Sequence, residues 1–348
     1  MTELLSNPFF ATLAVLIGGV GLVVGGELLV RGATKIAFGL RISPLVVGLT
    51  VVAFCTSAPE MAVSFSAVLN KDPSVIDIAL GNVVGSNICN ILLILGVCAL
   101  IRPLATSDVV VKRDFPVVVG QSLVTFIVAF LCIDASGERY LPRWFGFALL
   151  FAFVVYEYFT VRAERGGKNN ANDAKDASKE TAKDGESMDS AVSAAATRVN
   201  WGVAIFQTLF GLALLVGGAK AFVEGSVSIA RTLGVSELII GLTLVALGTS
   251  LPELTVSVIA TCRNHVDVAL GNVVGSNAFN LMLVLGGSIT LLPTGLPVRP
   301  QSAYVDLPVM LVAAIAALLF CYTGRKISRL EGAVLLIAEF AYAGYLVM

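Results

Sequence analysis

Charge is scarce in this sequence: Asp, Glu, Lys and Arg make up 14% of 348 residues, and the formal net charge is −1. A near-neutral chain with no basic patch interleaved with aromatics offers nucleic acid no electrostatic footprint. Histidine occurs once, as His265, so there is no second imidazole with which to build a zinc centre. The six cysteines (Cys55, Cys89, Cys98, Cys132, Cys262 and Cys321) have neither CxxC nor secreted-scaffold spacing, and nearly all lie within apolar runs as packing thiols. P-loop, Gly-x-Ser-x-Gly and His-Glu-x-x-His patterns are all missing. The sequence therefore predicts neither an enzyme nor a bound cofactor.

What it has in quantity is apolar surface. Apolar residues make up 57% of the chain and the mean hydropathy is +0.89, far from a soluble composition. The apolar runs are each near the length that a helix needs to cross a hydrocarbon layer of about 30 Å. The expected fold class is an all-α integral membrane protein, its partner the lipid bilayer. Ten spans are expected at about 8–30, 44–69, 77–101, 115–133, 143–162, 201–224, 237–261, 266–291, 303–323 and 329–347. The first apolar run is long and lacks a basic leader, so it reads as a retained span. Residues 163–200, rich in Lys, Asp, Ala and Ser, lack apolar periodicity and read as a hydrophilic cytoplasmic linker. Lys and Arg concentrate in the loops of one side, among them Arg31, Lys35, Arg102, Lys112, Arg113, Arg263 and Arg325. By the positive-inside rule that side is cytoplasmic, which places both termini outside the plasma membrane (the inner membrane of a bacterium). Nothing in the sequence decides between a monomer and a homo-oligomer.

The chain also repeats itself. Gly48–Ala67 and Gly241–Ala260 agree at twelve of twenty positions, and Ile78–Gly96 and Val268–Gly286 at thirteen of nineteen. Residues 1–162 thus form one five-helix repeat (motif 48–96) and residues 201–348 a second (motif 241–286). Five spans is an odd number, so the second repeat is inverted relative to the first, a usual build of secondary transporters. Each first block ends in Thr-Ser-x-Pro-Glu. An ionisable side chain inside an apolar span is a functional site by default, and here Glu60 and Glu253 occupy matching places. Pro59 and Pro252 break their helices, freeing carbonyls such as those of Ala53, Thr56, Ala246 and Thr249 to face a cavity. With Ser57 and Ser250 this is an all-oxygen donor set, suited to hard cations such as Ca²⁺ and Na⁺. In the second block Ser86 and Asn90, matched by Ser276 and Asn280, fall on one helical face beside those acids. Asn82 and Asn272 are expected only to hydrogen-bond between helices. Asp114-Phe-Pro116 and Asp306-Leu-Pro308 read as helix N-caps followed by a first-turn proline.

At these motifs the sequence resembles the cation/calcium exchanger superfamily, specifically the short prokaryotic sodium/calcium exchangers with two alpha-repeats. The likeness covers essentially the whole chain apart from the linker. It implies a ten-helix exchanger that holds its ions between helices two, three, seven and eight while long first and sixth helices slide across that core. It further implies Ca²⁺ on Glu60, Glu253 and the Thr56 and Thr249 carbonyls. Na⁺ would use those acids with Ser57, Ser86, Ser250, Ser276, the Ala53 and Ala246 carbonyls and the Asn90/Asn280 region. Two positions depart from the family pattern: Cys55 stands where glycine is usual, and Asn280 where many relatives carry Asp. The function implied is sodium/calcium antiport, the alternative being a calcium (or other divalent cation)/proton antiporter.

Overall fold

Helices account for most of the described residues, because runs this apolar satisfy their own backbone only by closing i to i−4 hydrogen bonds. The computed structural model describes residues 7–40, 42–69, 73–134, 137–178, 200–234 and 248–347. Its first half contains α1 (Pro8–Leu40), α2 (Pro44–Thr56), α3 (Ala58–Leu69), α4 (Ile76–Ile101), α5 (Val110–Leu131) and α6 (Arg143–Ser178, apolar over Arg143–Ala163). Its second half contains α7 (Trp201–Thr232), α8 (Leu251–Cys262), α9 (Val266–Leu291), α10 (Ser302–Gly324) and α11 (Arg329–Val347). Among the described residues seven helices are long and apolar enough to cross a membrane, and eight if α2 and α3 count as one span. α1 turns Phe9, Leu16, Ile17, Val20 and Val23 outward, a stripe that suits lipid rather than water.

The expected spans coincide with these helices to within a few residues except at four places. α1 and α7 run well past residues 30 and 224, continuing as helix beyond Glu27, Arg31, Lys220 and Glu224 for more residues than the roughly 20 that a hydrocarbon layer needs. α6 continues as helix through Ser178, into the stretch assigned to the linker. The first part of the expected 237–261 span, including Ala246, lies outside the described residues.

α4 and α9 form the centre. They contribute nearly half of a large apolar cluster that includes Leu80, Ile88, Leu95, Val273, Leu281 and Leu285, walled by α5, α6, α10 and α11. A second cluster joins Leu22, Leu29 and Leu215 of α1 and α7 to Val47 and Val52 of α2 and Val256 and Ala260 of α8. The α1–α7 contact is close enough to need glycine. A Cβ on Gly25 would sit 2.7 Å from the Leu215 nitrogen, and one on Gly211 2.7 Å from the Leu29 nitrogen. α9 meets α2 in the same way, with Gly275 set against the Leu49 carbonyl.

Two short antiparallel clasps tie the halves together. β1 (Leu104–Ala105) pairs with β4 (Lys326–Ile327), with Leu104 opposite Ile327. β2 (Arg139–Leu141) pairs with β3 (Leu296–Val298), with Leu141 opposite Leu296. β1 follows α4 as β3 follows α9, and β2 precedes α6 as β4 precedes α11, so each clasp repeats the other with the halves exchanged.

The N-cap reading of Asp114 and Asp306 is corrected. Both have helical backbone, neither side chain caps, and each ends a π-helical turn, Val110–Asp114 and Ser302–Asp306, already inside its helix. Asp114 Oδ1 instead accepts from Arg113 Nε at 2.6 Å and from Tyr156 OH at 3.3 Å. Asp306 Oδ1 accepts from Tyr342 OH at 3.1 Å and Gln301 Nε2 at 3.3 Å, and Oδ2 from Ser302 Oγ at 3.1 Å. Tyr156 of α6 and Tyr342 of α11 are therefore pinned to the preceding helix by matching acids.

Candidate ion-binding site

The helix break at Thr-Ser-x-Pro-Glu builds the site. Proline lacks an N–H to continue the ladder. The backbone turns two residues before each proline, at Ser57 (φ −80°, ψ 1°) and again at Ser250 (φ −86°, ψ 1°). α2 and α3 consequently meet at a 44° bend. Glu60 and Glu253 then fall in the first turns of α3 and α8, where the positive end of the helix dipole favours a carboxylate. Both side chains are fully buried.

Each acid is held from the other half of the chain. Ser250 Oγ donates to Glu60 Oε1 at 3.4 Å, and Ser57 Oγ donates to Glu253 Oε1 at 3.3 Å. Ser86 Oγ also donates to Glu60 Oε1 at 3.3 Å and lies 3.3 Å from Ser250 Oγ. Thr56 Oγ1 lies 3.4 Å from Ser276 Oγ, placing the α2 break against α9. Among the described residues Glu60 Oε2 and Glu253 Oε2 are buried with no hydrogen-bond partner, as are both amide atoms of Asn90 and of Asn280. These two asparagines follow Ser86 and Ser276 by one turn and open the π-helical turns Asn90–Ile94 and Asn280–Val284. π-turns inside α-helices occur frequently at functional sites.

Ten of the expected residues, Ala53, Thr56, Ser57, Glu60, Ser86, Asn90, Ser250, Glu253, Ser276 and Asn280, are buried, and the side chains of all but Ala53 and the two asparagines hydrogen-bond to another of the set. Thr249 is half-buried and reaches Asn82 Oδ1 at 3.4 Å. The Ala53 carbonyl accepts from Ser57 N at 2.9 Å and lies 3.3 Å from Thr56 Oγ1, so an ion there would share it with the helix. Asn82 and Asn272 do hydrogen-bond across helices. Asn82 Nδ2 donates to the Glu60 carbonyl at 3.1 Å and to Ser64 Oγ at 2.9 Å. Asn272 Nδ2 donates to the Glu253 carbonyl at 3.4 Å and to Ser257 Oγ at 3.0 Å. Ser64 and Ser257 were not expected from the sequence, although each follows its glutamate by four residues in both copies.

Serine hydroxyls donate to both carboxylates, and among the described residues no cationic side chain bonds to either. Two buried carboxylates without a protein cation are costly unless a bound cation compensates them. Paired acids ringed by hydroxyl and amide oxygens, on helices apolar enough for a bilayer, define a membrane protein that handles hard cations.

The model of the sodium/calcium exchanger protein family matches residues 10–162 and 203–348, and the chain belongs to that family. It is a family of transporters, in which cations are exchanged across a membrane. Among its relatives, the putative antiporter CaxA of Alkalimonas amylolytica is 37% identical over 95% of this chain and 97% of its own length. The sodium/calcium exchanger MaX1 of Methanosarcina acetivorans is 34% identical over 95% and 96%. The solved sodium-calcium exchanger NCX_Mj superposes with a TM-score of 0.77 at 28% identity, covering 98% of this chain and all of the other.

Proposed function

We propose that this protein is a sodium/calcium antiporter of the plasma membrane that works by alternating access. The observation that carries the reading is the pair of buried glutamates, cross-braced by the serines of opposite halves, with Asn90 and Asn280, one turn beyond Ser86 and Ser276, buried and unpartnered among the described residues. Two carboxylates neutralise one Ca²⁺, with 6–8 oxygen ligands the usual set. The same acids, with Ser57, Ser86, Ser250, Ser276, Asn90 and Asn280, serve Na⁺ in its place. The Thr56 and Thr249 carbonyls complete the calcium ligands, and those of Ala53 and Ala246 the sodium ligands. Sodium is favoured over protons as the counter-ion because protonating two acids leaves the surrounding hydroxyl and amide oxygens without a use.

The proposed build is ten spans in two inverted repeats, 1–162 and 201–348, joined by a cytoplasmic linker at 163–200. The spans are the eight counted above together with α8, preceded by 237–250, and α11. Support comes from the clasps: loops α4–α5 and α10–α11 pair with each other, as do loops α5–α6 and α9–α10. Ten crossings with both termini outside put each of these pairs on a common face. The test is ⁴⁵Ca²⁺ uptake into proteoliposomes loaded with sodium, compared with vesicles carrying an inward-acid proton gradient. Uptake is expected only with sodium inside; uptake driven by protons alone would replace this reading with calcium/proton antiport.

A further inference from the structure

The two halves match at the ion site but differ where the α1–α7 pair meets the broken helices. α1 packs along α8, with Gly26 so near that a Cβ there would lie 2.8 Å from Ile259 Cδ1 and 3.1 Å from Thr255 Cγ2. The matching contact, α7 along α3, is not comparably packed, and the apolar cluster around α1 and α7 includes α8 and α2 but no residue of α3. The protein is therefore closed on the face of the α8–α9 turn.

At the edge of that closed seam lies an ion pair. Arg263, in the α8–α9 turn, grips Glu27 of α1 with two bonds: NH2 to Oε1 at 2.8 Å and Nε to Oε2 at 3.2 Å. Arg31 Nε adds a third to Oε1 at 2.6 Å. A cleft of about 290 Å³ beside it is lined by Arg31, Thr34, Lys35 and His265. The repeat register that matches Gly25 to Gly218 places Lys220 opposite Glu27 and Glu224 opposite Arg31, reversing the charges, and sets Asn70 against Arg263. Lys220 and Glu224 pair along their own helix at 3.9 Å. The bidentate contact thus has no equivalent in register.

We infer that Glu27 and Arg263 form a latch that holds the α1–α7 pair against α8, so that this face opens to ions only when the pair breaks. The inference rests on the alternating-access reading, in which closure of one face accompanies opening of the other. The latch sets the balance between the two states without touching the ion.

The test follows thiol labelling at two seams in the full-length reconstituted protein. Thr255→Cys reports the α1–α8 seam, and Ala62→Cys, its repeat-mate on α3, reports the opposite seam. Labelling with a polar maleimide is corrected with the parent protein that carries only its native cysteines. In Glu27→Gln and in Arg263→Gln, labelling at 255 is expected to rise about fivefold, the upper end for a partly exposed ion pair, while labelling at 62 falls. The double variant is expected to equal either single one. Unchanged labelling in the single variants, multiplied effects in the double variant, or a rise at both seams would overturn the latch. The readout needs no transport: a protein without calcium flux that still labelled as expected would refute the antiporter and leave the latch standing.

Discussion

Replacing Glu60 or Glu253 with glutamine separates the charge of the site from its shape. Glu60 Oε1 accepts from Ser86 and Ser250, and the glutamine carbonyl oxygen can accept the same two bonds. Oε2 has no partner, so an amide nitrogen there displaces no existing bond. The fold should therefore tolerate the change, and removing a buried charge should leave the ion-free protein as stable as before or more so. Calcium binding should suffer, because half of the charge that balances Ca²⁺ is gone. Removing one partner of a buried ionic interaction costs about 3–5 kcal/mol, or about 150- to 5,000-fold in affinity. Two assays together decide the matter. Calcium-dependent flux should fall to background in each variant, and the rise in melting temperature that Ca²⁺ gives the parent should vanish. The melting temperature in chelator should hold. If either purified variant kept near-normal flux, the acids would not be the calcium ligands.

Three further outcomes are expected. Asn280→Asp adds a third carboxylate where the present amide has no partner, so calcium flux should acquire a new dependence on potassium or pH; flux identical to the parent under every condition would show that Asn280 does not tune the site. Tyr342→Phe should lower the melting temperature more than Tyr156→Phe, with exchange retained, because Arg113 still holds Asp114 while among the described residues no cation is bonded to Asp306; a hydrogen bond to a charged group contributes about 1.5–3 kcal/mol, and equal or absent effects would contradict these roles. Gly25→Ala should cost about 1–3 kcal/mol by overpacking, since the new Cβ meets backbone at 2.7 Å, whereas Gly217→Ala on α7 meets nothing within 4 Å and should be neutral.

The paired acids were legible because a glutamate inside an apolar span is costly, and a cost borne at the same place in two repeats points to a shared ion. Ser57 and Ser250 were legible as donors, but their crossing was not: Ser57 reaches Glu253 and Ser250 reaches Glu60, a partnership between halves almost two hundred residues apart that no local pattern encodes. The π-turns at Asn90 and Asn280 have no sequence signature, as one extra residue in a turn leaves the apolar pattern intact. Asp114 and Asp306 misled because Asp before a proline copies an N-cap, and the preceding valine- and tyrosine-containing turns, which extend the helix, carry no stop or start signal. Glu27 and Arg31 hid the true length of α1, since charges mark the end of an apolar span but do not stop a helix.

The central claim is that calcium and sodium compete for the same two carboxylates. Equilibrium calcium binding to the purified protein, titrated calorimetrically at a series of sodium concentrations with total ionic strength held constant by choline, tests it most directly. The apparent calcium Kd is expected to rise with sodium, more steeply than in first power because several Na⁺ replace one Ca²⁺, and Glu60→Gln is expected to remove the heat of binding. A calcium Kd that stays constant as sodium rises would contradict the claim.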